Sequence, residues 1–149
     1  MISTSGLLFV YGTLRDPDLL AGVLGRPAHG LAASAPGFAA VHYPGRIYPA
    51  LVRRPGGGAE GLVLTDLTRF EIDLLDAFEG REYRRSVIAV MIGEELHEVL
   101  AYLPTATIPA NAPGWTLAAW QACHKAAVLE AERVAAVELR QKLIAIRPN

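Results

Sequence analysis

The stretch LLFVYGTLR at residues 7–15 constrains the fold more than any other part of the chain. Residues 7–10 are apolar without alternation, which is typical of a strand that is buried on both faces. The apolar run stops at Tyr11, and Asp16 and Pro17 then have the pattern of a helix start, with Asp16 as the capping residue. The stretch therefore predicts a central strand that passes through a glycine turn into a helix.

The turn after this strand has the features of an anion site. Gly12 lacks a Cβ, so a ligand can approach the backbone closely there. Backbone amides at the start of a helix favour a negatively charged group such as a carboxylate. An ordinary strand–turn–helix connection would show the same pattern. The turn is neither a Walker loop nor a dinucleotide fingerprint, because it lacks both Gly-Lys-Ser/Thr and Gly-x-Gly.

Composition narrows the class of protein. Of the 149 residues, 52% are hydrophobic and 19% are charged, as in a globular protein of about one domain. A formal net charge of -1 gives no electrostatic reason to expect nucleic acid or an anionic membrane as a partner. The single cysteine, Cys123, cannot form an internal disulfide, and residues 1–6 do not resemble a signal peptide. No apolar run is long enough to span a bilayer, and we expect a cytoplasmic protein.

Short apolar stretches separated by glycine and proline predict several strands. We predict strands at 31–35, 38–41, 61–64, 84–92 and 96–103, and an extended segment at 48–52. The last two strands form a hairpin through Gly93-Glu94-Glu95. The glycine-rich residues 53–59 have the composition of an exposed hairpin tip.

Two helices are predicted from their end signals. The first runs from Asp16 to Leu24, where Gly25 follows. The second begins at Thr68, which forms a capping box with Glu71. It should end at residue 78 or 79, with Gly80 as a left-handed stop.

The C-terminal part of the chain predicts one long helix or two over residues 116–146. Its apolar residues are too frequent for a solvated helix, so we expect it to pack on the sheet or on a second subunit. Strands and helices do not alternate regularly, which favours an α+β fold with a strongly bent or closed sheet. We predict a single domain over residues 1–149, with 115–146 as a C-terminal helical extension.

Glu79 is the carboxylate most suited to chemistry. At about 100° per residue it falls between Ile72 and Leu75 on the helical wheel, so it points towards packed side chains. Burial disfavours the charged form and raises the pKa, which suits a general base near neutral pH. A carboxylate at a frayed helix end that points to water is the alternative interpretation.

Three further residues have open roles. Tyr83 could orient a substrate or Glu79 through its hydroxyl, or could be a half-buried aromatic at a strand start. Tyr48 has the same two interpretations, and Arg15 could meet a substrate carboxylate or only flank the helix cap.

Metal and nucleophilic chemistry have little support in the sequence. The four histidines are scattered, and none forms a ligand pair with another histidine or with Cys123. No Gly-x-Ser-x-Gly elbow occurs, and Cys123 lies inside a helical run. We expect neither a metal site nor a cofactor.

Several motifs together resemble the γ-glutamylcyclotransferase-like (AIG2-like) superfamily. They are YGTLR at 11–15, YPA at 48–50, EGLV at 60–63, LDAFEG at 75–80 and YRR at 83–85. The resemblance covers roughly residues 7–104 and depends on the order and separation of the motifs. It implies a small mixed β-barrel with surrounding helices and a cavity beside the first strand.

The resemblance also implies an activity and its residues. The amides of Gly12, Thr13 and Leu14 would hold the γ-glutamyl group of a small-molecule amide, and Glu79 would be the acid/base that allows 5-oxoproline to leave. Glu82 matches the catalytic position less well. The chain would need no cofactor and would act as a monomer or homodimer.

The remaining implied contacts concern specificity. Tyr11, Arg15, Tyr48 and Tyr83 would also bind substrate, Tyr83 at the developing oxyanion. Tyr-Gly-Thr-Leu stands where the glutathione-pathway branch has Tyr-Gly-Ser-Asn, which favours the γ-glutamylamine branch. A non-catalytic module of the same fold that binds a small molecule is the alternative function.

Overall fold

The predicted first strand, β1 (Leu8–Val10), is central to the fold. The structure, a computed structural model, describes residues 6–146. β1 pairs antiparallel with the strand that contains Val63 and parallel with the strand that contains Leu100. All three of its residues are buried, which confirms the prediction of a strand covered on both faces.

Four further strands complete a closed barrel. They are β2 (Gly30–His42), β3 (Pro49–Leu64), β4 (Tyr83–Ile92) and β5 (Glu95–Pro104). The order around the barrel is β1-β3-β2-β4-β5, and the parallel pairing of β1 with β5 closes it. The α+β class, the mixed barrel and the β4–β5 hairpin are therefore confirmed.

The middle of the sheet differs from the prediction. The segments at 31–35 and 38–41 are one strand, and those at 48–52 and 61–64 are another. Residues 53–59 are thus a bulged part of β3 and not a hairpin tip, because Phe38 pairs with Arg53 while Pro36 pairs with Gly58. Glycine and proline mark a break in regular structure, but only pairing with β2 shows that the strand continues beyond it.

Two apolar clusters divide the core. The first fills the barrel and consists of strand residues such as Phe9, Val63 and Val90. The second lies between the barrel and the helices and includes Leu8 and Val10. Successive side chains of a strand point to opposite faces, so β1 contributes to both clusters.

The two predicted helices form with their caps. α1 (Pro17–Leu24) begins after Asp16, which accepts a hydrogen bond from the Leu19 amide, and ends at Gly25. α2 (Arg69–Glu79) has the predicted capping box. After α2, Gly80 has φ 69° and ψ -155°, outside the left-handed helical region, and a 3-10 turn follows directly.

The C-terminal helical region contains α3 (Leu117–Trp120), a π turn (Gln121–Lys125) and α4 (Ala126–Ile146). This region packs on the second apolar cluster, between the barrel and the helices, through Trp120 and Ala136, which are both buried. Val134, Ile144 and Ile146 remain exposed, so packing covers only part of its apolar surface. No helix within residues 6–146 is both long enough and apolar enough to cross a membrane.

Candidate functional site

A cavity of about 440 Å³ lies beside the end of β1. Its wall consists of residues 9–14, 47–49 and 78–83, Leu19, Tyr102, and three residues of the C-terminal helices, Trp120, Val128 and Glu132. Strand ends, the turn after β1 and two helical regions therefore meet at one place. A cavity of this size suits a small-molecule ligand.

Most of the residues predicted for the site meet in this cavity. Its lining includes Tyr11, Gly12, Thr13, Leu14, Tyr48, Glu79 and Tyr83. Arg15 is not among the lining residues that the structure describes, and lies half-buried at the end of the turn. The structure thus brings together residues that are far apart in sequence, while their roles remain predictions.

The turn after β1 lines the cavity and begins a short helical turn. Thr13–Arg15 form a 3-10 turn, in which the Arg15 amide donates to the Gly12 carbonyl. The Asp16 amide donates to the Thr13 carbonyl. The first amides of a helical turn have no partner within it, so those of Gly12, Thr13 and Leu14 are the ones suited to an anionic ligand.

Gly12 meets a constraint that the sequence did not indicate. Its φ of -118° is open to any residue, so no left-handed conformation requires glycine there. A Cβ at this position would lie 2.8 Å from Cγ of Pro49. The interpretation that glycine leaves room for a ligand is therefore incomplete, because the space beside Gly12 is first taken up by the proline ring.

Glu79 is the last residue of α2 and is half-buried in the cavity wall. Within residues 6–146 its carboxylate takes part in no hydrogen bond or ion pair. Burial among protein atoms, together with the nearby charge of Glu132, raises the pKa of Glu79 to about 8. The predicted rise in the pKa of this carboxyl is confirmed.

Glu82 lines the same cavity, but both of its carboxylate oxygens already have partners in the protein. One carboxylate oxygen lies 2.9 Å from Nε of Arg46, and the other accepts a hydrogen bond of 2.8 Å from the Tyr48 hydroxyl. Burial, together with the bond to Glu82, raises the pKa of Tyr48 to about 12. Arg46 and Tyr48 therefore occupy both carboxylate oxygens of Glu82, which leaves it poorly placed to contact a ligand.

The cavity tyrosines already donate their hydroxyl protons within the protein. Tyr11 donates to the Tyr102 carbonyl, and Tyr83 donates to the Pro49 carbonyl. Burial raises the pKa of both Tyr11 and Tyr83 well above the ordinary tyrosine value. An oxyanion contact by Tyr83 therefore requires its bond to Pro49 to break, so in this structure Tyr83 contributes its ring and a fixed hydroxyl.

The C-terminal helices supply a part of the cavity wall that sequence reasoning missed. Trp120, Val128 and Glu132 line the cavity from α3 and α4. Val128 and Glu132 are four residues apart and so share one helix face. This spacing was visible in the sequence, but nothing there indicated which face of the helix meets the cavity.

Asp16 connects the turn to these helices. Its side chain is 0% exposed and accepts hydrogen bonds from Gln121 Nε2 and the Leu19 amide, while Lys125 Nζ lies 2.9 Å away. Burial alone would raise the pKa of Asp16, but the bonds from Gln121, Leu19 and Lys125 outweigh it and lower the pKa. The π turn places Gln121 and Lys125 on the same carboxylate and so anchors the helical wall.

The described residues do not assemble a metal centre. Within residues 6–146, no three side chains of His, Cys, Asp or Glu lie together as a metal site requires. The polar groups that the described lining offers for chemistry include carboxylates, tyrosine hydroxyls and backbone amides.

Comparisons with known proteins agree on one family. The family model described as gamma-glutamyl cyclotransferase, AIG2-like, matches residues 8–122. AIG2-like protein A of Arabidopsis thaliana is 33% identical over 127 residues, which span 83% of this chain and 76% of that protein. AIG2-like protein D of the same plant is 29% identical over 136 residues, covering 89% and 90% of the two chains.

Solved structures show the same fold. A solution structure of a protein from Arabidopsis thaliana, 32% identical in sequence, superposes with a TM-score of 0.65 over 84% of this chain and 86% of its own. A structure named gamma-glutamyl cyclotransferase superposes with a TM-score of 0.63 over 96% and 88% of the chains. Its identity of 20% limits that likeness to the fold.

Proposed function

The chain belongs to the γ-glutamyl cyclotransferase, AIG2-like family, and from this premise we propose that it releases 5-oxoproline from a γ-glutamyl amide, with Glu79 as the general acid/base. The observation that carries the proposal is the position of Glu79 in the cavity, together with its raised pKa. The only carboxyl of α2 that enters the cavity has a pKa of about 8 and lies in the same wall as the amides of the turn after β1.

The turn supports binding of the glutamyl end of the substrate. The amides of Gly12, Thr13 and Leu14 suit an α-carboxylate, and the short helical turn orients them together. Tyr11, Tyr48 and Tyr83 enclose this end with aromatic rings. Such an enclosure folds a flexible substrate into one geometry before the reaction.

Glu79 supports the proton transfers. The α-ammonium of the substrate gives one proton to the Glu79 carboxylate, and the freed amine attacks the γ-amide carbonyl carbon. The bond from that carbon to the amide nitrogen then breaks, and Glu79 returns its proton to the departing amine. The second proton of the attacking nitrogen also passes to that amine, which leaves as an ammonium, and 5-oxoproline remains. The raised pKa of Glu79, about 8, makes its carboxylate a stronger base than an ordinary glutamate, which suits it to take a proton from an ammonium group.

Ring closure within one molecule demands positioning more than strong chemistry. Holding the amine near the carbonyl can contribute on the order of 7–11 kcal/mol to lowering the barrier. Because the Tyr83 proton is donated to Pro49, Tyr83 stabilises the developing charge only when that bond breaks and its hydroxyl turns to the substrate. We assign the substrate to γ-glutamylamines on the basis of Tyr-Gly-Thr-Leu at residues 11–14.

The test is a screen of γ-glutamyl amides with detection of 5-oxoproline by mass spectrometry. The wild-type protein should release 5-oxoproline from at least one γ-glutamylamine, and Glu79→Gln should not. If γ-glutamyl amides bind but no 5-oxoproline appears, the chain is a binding module and the proposed activity is wrong.

A further inference from the structure

Helix α4 places a second carboxylate, Glu132, in the cavity wall. Glu132 lies beyond residues 8–122, the part that matches the family model. Val128 and Trp120 line the cavity beside it, so its surroundings in the wall are largely apolar. The C-terminal helix thus adds a carboxylate to the cavity from outside the residues that match the family model.

Apart from Glu79 and Glu132, the buried and half-buried carboxylates within residues 6–146 have protein partners. Asp16 is bonded to Gln121 and Lys125, Glu71 to Arg26, and Glu82 to Arg46. Within residues 6–146, Glu132 takes part in no hydrogen bond or ion pair. A carboxylate that is removed from water without a partner is costly, and a cationic ligand would remove that cost.

The charges of the cavity wall do not balance. Glu79 and Glu132 are unpaired within residues 6–146, while Glu82 is neutralised by Arg46. Arg81 also belongs to the lining, but its side chain is exposed and forms no ion pair with either carboxylate. When Glu79 and Glu132 are ionised, the cavity wall therefore carries more negative than positive charge.

The proposed reaction assigns a partner to each charged group at the glutamyl end of the substrate, and Glu132 is not one of those partners. In the proposed function, the α-carboxylate of the substrate lies at the turn amides, and its α-ammonium gives its proton to Glu79. The departing amine takes that proton back, so the leaving group also lies next to Glu79. Glu132 is near enough to Glu79 for its charge to raise the pKa of that carboxyl. A cation a few bonds beyond the departing nitrogen would therefore reach Glu132.

We propose that Glu132 binds an ammonium group carried by the leaving amine, so that the preferred substrate is the γ-glutamyl amide of a diamine or polyamine. This inference rests on the proposed function for the identity of the glutamyl end. Burial raises the pKa of Glu132, as expected for a carboxyl that lacks a partner until a cation binds.

A binding experiment tests the subsite without turnover. Glutaric acid monoamides lack the attacking α-amine, so they cannot cyclise. Titration calorimetry compares the 4-aminobutyl amide, which carries a cation, with the butyl amide, which does not. The wild-type protein should bind the cationic amide roughly 10-fold to 100-fold more tightly, the usual range for a hydrogen bond to a charged group.

Matched variants assign the preference to one residue. Glu132→Gln should remove it, changing the affinity for the butyl amide by less than about 2-fold. Glu138→Gln removes an exposed carboxylate from the same helix and should leave the preference intact. If Glu132→Gln does not fold by circular dichroism, Glu132→Ala takes its place. A wild-type protein without the preference, or a preference that survives loss of the Glu132 carboxylate, overturns the proposal.

Turnover separates this proposal from the proposed function. For the γ-glutamyl amides of 1,4-diaminobutane and butylamine, Glu132→Gln should lower the ratio of kcat/KM for the first to kcat/KM for the second by roughly 10-fold or more. An equal loss for both substrates would mean that Glu132 acts only through Glu79 and would overturn the proposal. If neither amide releases 5-oxoproline, the proposed function fails, while the calorimetric comparison still decides the role of Glu132.

Discussion

Glu82 and Glu79 lie in one cavity wall, but their surroundings differ: the carboxylate of Glu82 has bonded partners, and that of Glu79 has none within residues 6–146. Both carboxylate oxygens of Glu82 are held, one by Arg46 and the other by Tyr48. Glu79 has no such partner in the described part of the chain, faces another carboxylate, and has a pKa of about 8. Only two residues, Gly80 and Arg81, stand between the carboxylate suited to proton transfer and the one with a structural role.

The difference arises from elements that are remote in sequence. Arg46 and Tyr48 come from the segment before β3, whereas the residue that disfavours the Glu79 anion comes from α4. A motif that contains both glutamates cannot by itself say which one is the base. The neighbours that each carboxylate meets in the folded chain decide it.

The largest expected effect is on turnover. Glu79→Gln keeps the shape of the side chain but cannot accept a proton, so turnover should fall roughly 10²-fold to 10⁴-fold. Glu82→Gln, which loses part of its bond to Arg46, should lower turnover by less than about 10-fold. Steady-state kinetics of 5-oxoproline release measures both.

Binding controls complete that comparison. Affinity for a γ-glutamyl ligand should survive in Glu79→Gln, since an uncharged amide is easier to bury than a carboxylate. Full 5-oxoproline release by the Glu79→Gln protein would remove Glu79 from the mechanism and make Glu82 the next candidate.

The second effect is on stability as a function of pH. The pKa of Glu79 is raised in the folded protein, so its protonation stabilises the fold at low pH, and this contribution is lost as the pH rises towards about 8. Glu79→Gln should therefore match the wild type below the ordinary glutamate pKa and exceed it at higher pH, by on the order of 3 kcal/mol. Urea unfolding across this pH range tests the prediction, and a constant difference would contradict the raised pKa.

The third effect asks whether the turn belongs to the substrate site as Glu79 does. Gly12→Val should raise KM roughly 10-fold or more, because its side chain must displace Pro49 from the cavity wall. Gly58→Ala is a matched control, since a Cβ there has nothing within 4 Å. Circular dichroism must show that both variants fold, and an unchanged affinity in a folded Gly12→Val protein would remove the turn from the site.

The smallest effect concerns the paired region. Tyr48→Phe removes the hydroxyl that donates to Glu82 but leaves Arg46 in place. The free energy of unfolding should fall by about 0.5–1.5 kcal/mol, and kcat should change by less than about 3-fold. A loss of kcat as large as that of Glu79→Gln would mean that the Glu82 region takes part in the chemistry.

Local signals in the sequence were sufficient for much of the frame. The unbroken apolar run of β1, the Asp16 cap of α1 and the capping box at Thr68 each depend on neighbouring residues, and each forms as predicted. The helical wheel also placed Glu79 on a buried face, and the pKa of its carboxyl is raised accordingly. Strand burial and helix capping are short-range effects, so the order of residues carries them.

Contacts between distant segments were beyond such signals. Residues 53–59 have the composition of a turn, and only pairing with β2 makes them a bulge in a continuous strand. Gly12 meets Pro49, and the Tyr83 hydroxyl donates to the Pro49 carbonyl, which no local pattern indicated.

The sequence by itself determined the strand–turn–helix unit, the end of α2 and the carboxylate that it presents. Only the tertiary structure decided that Glu82 would be paired, that Glu79 would have no partner among residues 6–146, and that Glu132 would join Glu79 in the cavity. The reason is physical. Capping and strand burial are governed by adjacent residues, whereas the charge state of a carboxylate depends on every group within a few ångströms, whichever part of the chain supplies it.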